Sequence, residues 1–250
     1  MGSPYTHPAS DGTDVCHRSR PERVLAVRAA LPDRYRVLVE IGAGLGLRQG
    51  EAFGLSMEDI DFDAEIVHVR RQVKMVRTKL CFALPKGRKV REVPLPSSVA
   101  KALRQHVEFL APVPVTMPWD DPRPPQTPVE AKHRRPRTYN LLVTGREHKA
   151  INRNYFNSSV WKPALAEAGV IAALEESAPD GSRAWEPSRE HGYHALRHFY
   201  ASEQLEAGES VVSLARWLGH SDPGFTLRKY AHFLPRAGAR GGAALDAVFA

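Results

Sequence analysis

Cysteine is nearly absent. Cys16 and Cys81 are the two in 250 residues, far apart and in dissimilar surroundings, which excludes a disulfide framework or a Cys-x-x-Cys metal knuckle and fits a reducing cytoplasm. Long apolar runs are missing too. The longest, VLVEIGAGLGL over 37–47, is broken by Glu40 and is too short to span a bilayer, and no charged-then-apolar signal segment opens the chain, so no membrane association is expected. There is no internal repeat. The glycine-rich stretch GAGLG at 42–46 does not open a helix after a strand, so it is not a dinucleotide loop. What the chain has in excess is positive charge: 35 Lys and Arg against 28 Asp and Glu leave a net +7, which permits a polyanionic partner without requiring one. A 42% hydrophobic content suffices for one large domain or two small ones.

Residues 1–20 carry hardly an apolar side chain and read as a tail or linker stub. From Pro21, two amphipathic helices are expected, split at Leu31 and Pro32. Their core candidates are Val24, Leu25 and Val27, then Tyr35, Val37, Leu38 and Ile41. Ser56 is placed to cap a short turn. EIVHVRRQV, LCFAL and VREVPLP read as three antiparallel strands between 65 and 96, with Gly87 in the turn PKGRK. A helix capped by Ser97 or Ser98 follows and stops before Pro112. The proline-rich stretch 111–138, with its basic run KHRRPR, reads as an extended insertion. YNLLVT (139–144) suggests a strand. The next helical segment has Phe156, Val160, Trp161 and Leu165 inward and Gly169 at its end, and 174–190 reads as a polar loop.

The chain is organised around 191–232, HGYHALRHFYASEQLEAGESVVSLARWLGHSDPGFTLRKYAH. Three-residue spacing puts His194 and Arg197 on one helical face. A short helix closing at Gly219 leaves His220 at its end, and Tyr230 falls on a further helix that Ser221 could cap. His191, His194 and His198 could share a face as a metal site, but Gly192 at the helix entrance and the lack of a zinc-protease His-Glu-x-x-His pattern argue against it. On that reading His191 and His198 are structural or solvent-facing.

HALRH (194–198), LGHSDPGFTLRKYAH (218–232) and, upstream, GLRQGEAFGLS (46–56) resemble the motifs of the tyrosine recombinase, or phage integrase, family. The resemblance covers about 21–236. It implies an α+β fold, mostly helical with a small three-stranded antiparallel sheet, and DNA strand cleavage and rejoining through a 3′-phosphotyrosine. By resemblance Arg48 and Arg197 clamp the phosphate, Glu51 orients Arg48, and Lys86 is the general acid, with Lys89 as a possible substitute. His194 is then the base, His220 a phosphate hydrogen-bond donor and Tyr230 the nucleophile. That chemistry suits the residue types: guanidinium forks match a phosphate gaining charge, and a covalent phosphotyrosine conserves bond energy without ATP. No cofactor or metal is implied.

The implied partner is double-stranded DNA, bound as a homotetramer on paired sites, with a lone fragment monomeric. Arg88, Lys89, Lys132, Arg134, Arg135 and Arg137 are candidate DNA contacts. Family members carry a core-binding domain that finds no room ahead of Pro21, so a catalytic fragment or truncated protein is expected. Ala244, Leu245, Val248 and Phe249 give the tail 237–250 an apolar stripe that could dock in trans. A non-cleaving DNA-binding or regulatory module derived from an integrase, and a topoisomerase using the same chemistry, are the alternatives.

Overall fold

The computed structural model describes residues 21–177, 183–186, 190–231 and 247–248. The expected tail at 1–20 lies outside the described residues, as does the stretch 237–250 apart from Ala247 and Val248. The fold is α+β, mostly helical with small antiparallel sheets, as expected.

Helix α1 (Pro21–Ala30) and helix α2 (Asp33–Leu45) are divided at Leu31 and Pro32 as the sequence dictates. Val24 and Val27 point inward, three residues apart, whereas Leu25 is 62% exposed and leaves the expected core. Residues from Tyr35 to Leu45 are buried on most sides of α2, because α1, α4 (Ser97–Phe109) and α8 (His194–Glu206) all pack on it. Two glycines make the α2–α8 contact possible. A Cβ on Gly42 would stand 2.7 Å from Leu196 Cδ1, and Gly46 ends α2 at φ 64° directly against the Tyr200 ring. The Tyr193 hydroxyl then donates to Leu38 O at 2.8 Å, fixing the start of α8 over α2. Helix α4 begins after Pro96 with no side-chain cap, so neither Ser97 nor Ser98 caps it as expected.

After α3 (Gln49–Phe53), Ser56 opens a short 3₁₀ turn, donating from its backbone N–H and hydroxyl to Asp59. The strands that follow depart from the single three-stranded sheet expected over 65–96. Strands β1 (Ile60–Asp61), β2 (Ile66–Val69) and β5 (Arg91–Pro94) form one sheet in the order β1-β2-β5, with Val67 opposite Val93 and Val69 opposite Arg91. Strands β3 (Gln72–Val76) and β4 (Lys79–Ala83) form a separate hairpin. The break falls at Arg71, which is 5% exposed. Its guanidinium turns inward to Asp59 (Nη2 to Oδ1, 2.9 Å) and Gly54 O, beneath the Tyr139 ring. A buried charge of this kind needs its partners, and reaching them bends the chain out of the first sheet.

The proline-rich insertion is not extended. Strands β6 (Val113–Met117) and β7 (Arg137–Leu141) pair antiparallel, flanking helix α5 (Pro128–His133), which Thr127 caps by accepting from Glu130 N. The unit docks on the β3–β4 hairpin: Phe82 N donates to Pro118 O (3.0 Å), Asp120 N to Phe82 O (2.6 Å), and Lys74 pairs with Asp120 (3.0 Å). The hairpin leading to Lys86 is thereby tied to the body of the domain.

Residues 153–167 run through helix α6 (Arg153–Phe156), a π turn (Asn157–Trp161) and helix α7 (Lys162–Glu167), with Phe156, Val160, Trp161 and Leu165 inward as expected. The Trp161 indole donates to His191 O (2.9 Å), bracing the entry to α8. Where a polar loop was expected, β8 (Ala173–Ser177) and β9 (Arg183–Trp185) pair. Helices α9 (Val211–Leu218) and α10 (Pro223–Tyr230) complete the described fold. Gly219 closes α9 at φ 66°, and Asp222 rather than Ser221 caps α10, accepting from Gly224 N at 2.8 Å.

Candidate active site

At its centre is one buried carboxylate. Glu51, 1% exposed, accepts from Arg48 N (2.9 Å) and Arg48 Nη1 (3.1 Å), and takes a two-pronged pair from Arg91 (Nη1 3.0 Å, Nη2 2.6 Å). Burial works against its ionisation, but the hydrogen bonds and charge of Arg91, then the charge of Arg48, outweigh this and hold the Glu51 carboxyl below its ordinary value. Arg91 also donates to Trp217 O (2.6 Å), tying β5 to α9. Sequence reasoning treated REVPL as a plain strand and passed over Arg91. The signal was present: Arg91, Val93 and Leu95 share a strand face, and an arginine on an inward face needs a buried acid.

Arg197 is 1% exposed and joins two parts of the chain. It donates to Gly46 O (Nη1, 2.7 Å), to Leu218 O and toward His220 Nε2 (3.3 Å). Because Arg197 can only donate, His220 Nε2 accepts, leaving Nδ1–H for Thr226 Oγ1 at 2.7 Å. Both His220 nitrogens thus have partners within the domain, Arg197 and Thr226.

Arg48, Lys86 and His194 line one open cleft of about 800 Å³, together with Lys74, Arg153 and Lys162. Lys86 reaches it from the loop after β4, where Gly87 (φ 82°) and Arg88 (φ 58°) turn the chain. Lys74, Arg153 and Lys162 escaped sequence reasoning because they are scattered in the chain and gather only in the fold. Arg88 and Lys89 are exposed on the same loop. Within the basic run, Arg134 pairs with Glu130 (2.9 Å) and Arg137 lies over the Trp119 ring, while Lys132 and Arg135 are exposed.

Tyr230 is 2% exposed, and its hydroxyl lies 2.7 Å from His198 Nδ1. His198 in turn meets the His194 ring edge to face at 4.7 Å. Of the two alternatives read for His198, structural or solvent-facing, the half-buried contact with the tyrosine sets aside the second. The crowded setting, then the charges of Arg197, Lys229, Arg48 and Lys86, push His194 down to about 4. Since its ring is open to the cleft, the cations are the cause to weigh. Burial followed by Lys229, His194, Arg197 and His220 pushes His198 to about 3, and burial followed by Arg197 and Arg48 pushes His220 to about 4.

These shifts fix the sign of an acid effect. Each histidine binds a proton less readily folded than unfolded, so its stabilising contribution is whole above pH 6.5 and is lost as pH falls toward about 4. The melting temperature should fall steadily from pH 6.5 to 4.5. A flat profile over that range, in calorimetry at constant ionic strength, would contradict the environments described.

The phage integrase family model matches residues 20–113, a span that holds Arg48, Glu51, Lys86 and Arg91. A "Tyrosine recombinase XerC-like" protein of Caldanaerobacter subterraneus subsp. tengcongensis is 25% identical over 226 residues, covering 86% of this chain and 50% of that protein. A putative prophage phiRv2 integrase of Mycobacterium tuberculosis is 26% identical over 220 residues, covering 86% of this chain and 48% of that one. The chain thus spans about half the length of the curated relatives it matches. Among solved structures, the Tn1549 transposon integrase in complex with transposon right end DNA shares the fold with a TM-score of 0.61 at 18% identity, over 96% of this chain and 69% of that one. XerH recombinase bound to its difH substrate gives 0.53 at 17% identity, over 90% and 52%. No helix among the described residues is long and apolar enough to cross a membrane. Over the residues that hold Arg48, Glu51, Lys86 and Arg91 the chain matches the phage integrase family model, along most of its length it is similar to tyrosine recombinases and integrases, and it shares their catalytic fold.

Proposed function

We propose that the chain cleaves and rejoins DNA strands at specific sites, through a 3′-phosphotyrosyl intermediate on Tyr230. The observation that carries this is spatial. Arg48, Lys86 and His194 line one cationic cleft, and the Tyr230 hydroxyl is linked to its wall through His198. A phosphodiester in the cleft would have its developing charge met by Arg48, held by Glu51, and by Arg197, held by two carbonyls and His220. Lys86 would protonate the leaving 5′ oxygen. Lys74, Arg153 and Lys162 extend the cationic lining along a strand, and Lys132 and Arg135 offer further backbone contacts. The guanidinium and ammonium groups supply the positive charge, so the reaction needs no added metal ion. The partner is double-stranded DNA in the cytoplasm, with four copies assembling on paired sites. The catalytic unit is 21–236, and the tail 237–250 docks on a neighbouring copy.

The test is covalent capture. The chain is mixed with a pool of nicked duplexes of randomised core sequence, in which cleavage beside the nick releases a short fragment and strands the intermediate. Denaturant-resistant adducts should form, peptide mapping should place the DNA on Tyr230, and EDTA should leave the yield unchanged. Binding without any adduct would favour a non-cleaving module. An adduct that requires magnesium would refute the metal-free chemistry.

A further inference from the structure

We propose that His198 is the catalytic base that takes the proton from Tyr230, in place of His194, an assignment that rests on the strand-cleavage reading above. It begins from geometry. The hydroxyl of Tyr230 stands 2.7 Å from His198 Nδ1, within the reach a general base needs, and the two rings are 5.6 Å apart and tilted by 50°. His194 lines the cleft and meets His198 edge to face, so His198 connects the Tyr230 hydroxyl to the cleft wall.

The surroundings suit the role. His198 is faced from its own helix by His194 and Arg197, from the α9–α10 junction by His220, and from α10 by Lys229 and Tyr230. Burial and these positive neighbours keep the imidazole neutral at working pH, and the base role takes the tautomer in which Nδ1 accepts from the phenol and Nε2 carries the ring proton. The same neighbours favour a phenolate as it forms, which lessens the mismatch between a weak base and a weak acid.

The step balances. As the Tyr230 oxygen forms its bond to phosphorus, its proton passes to His198 Nδ1, giving an imidazolium. The bond from phosphorus to the 5′ oxygen breaks, and that oxygen takes a proton from the Lys86 ammonium. In rejoining, an incoming 5′ hydroxyl gives its proton to the Lys86 amine and attacks phosphorus, while the departing Tyr230 oxygen recovers its proton from His198.

The experiment uses the full chain and a nicked duplex recovered by covalent capture, following adduct formation at saturating DNA. Between about pH 6.5 and 8.5 the wild-type rate should be flat, because a neutral imidazole is already in place. Unassisted attack would instead depend on phenolate, which a free phenol forms near pH 10, and its rate would rise about tenfold per pH unit. A wild-type rate with that slope overturns the proposal without any variant. His198→Asn keeps an acceptor near the Nδ1 position but cannot carry the proton. It should cleave about a hundredfold more slowly or worse at pH 7, gain the tenfold-per-unit slope, and bind DNA as before. A His198→Asn rate within threefold of wild type overturns the proposal, as does a slower rate that stays flat with pH, which would mark a positioning contact. Faster cleavage by His198→Ala overturns it as well, since the hydrogen bond would then be a restraint. Should either variant fail to fold, the wild-type profile decides. Absence of any wild-type adduct at Tyr230 withdraws the strand-cleavage reading itself, and this one with it.

Discussion

Tyr230→Phe should leave no covalent protein–DNA adduct at all, while DNA binding stays within a factor of two of wild type. The substitution removes one oxygen. The ring keeps its place between α8 and α10, where Tyr230 is 2% exposed, and the loss of the bond to His198 costs about 0.5 to 1.5 kcal/mol, which a domain of this size tolerates. On the proposed mechanism the missing atom is the one that bonds to phosphorus, so no residual rate is expected, in contrast to variants at Arg48 or Lys86, where charge stabilisation or proton supply would be reduced rather than removed. Retention of the melting temperature within a few degrees, together with loss of the adduct on the nicked substrate, is the expected pair of results. An adduct formed by the Phe variant would place the nucleophile elsewhere and end the assignment.

Much of the site was legible because its groups lie in short sequence motifs. Arg48 and Glu51 stand three apart, as do His194 and Arg197, and Tyr230 follows His220 by ten residues. What the motifs concealed lies across the fold. His198 shares a helical face with His194, four residues away, so the pattern marked the face but not the partner, which arrives from α10. Arg71 sits within a run of alternating apolar residues that reads as one strand, and only the position of the buried Asp59 explains why the chain bends there. In the insertion, Val113, Val115 and Met117 alternate with Pro114 and Thr116, a half-buried strand pattern masked by proline. β6 accommodates Pro114 opposite Asn140 because its sheet has only two strands and the residue can face away from its partner. The number of small sheets, four among the described residues where one was expected, follows from such local tethers rather than from periodicity.

Glu51→Gln should be the most destabilising single substitution at the site. The carboxylate is fully enclosed and receives four hydrogen bonds from Arg48 and Arg91. The amide has nearly the same shape, but it replaces one acceptor oxygen by an NH₂ directed at a guanidinium and removes the single negative charge balancing two arginines. Removing one partner of a buried ion pair costs about 3 to 5 kcal/mol, because the remaining charge stays in the interior without compensation. For a chain of this size that is a fall of about 10 °C in melting temperature, measurable by calorimetry or urea unfolding. The pH dependence gives a second reading. The Glu51 carboxyl ionises below its ordinary 4.5 in the folded chain, so its contribution is whole above that value and is lost as pH falls through the folded value. Between pH 4.5 and 3, wild type should therefore lose stability more steeply than Glu51→Gln, and the two should converge. Catalysis should fall further than stability, since Arg48 loses its acceptor at either its backbone N–H (Oε2) or its guanidinium (Oε1), whichever oxygen becomes the amide nitrogen, and is held less firmly on the cleft wall. A Gln variant within about 1 kcal/mol of wild type at pH 7 would show that the four bonds are not worth what their burial implies, and the account of Glu51 as the tether of the arginine pair would have to be given up.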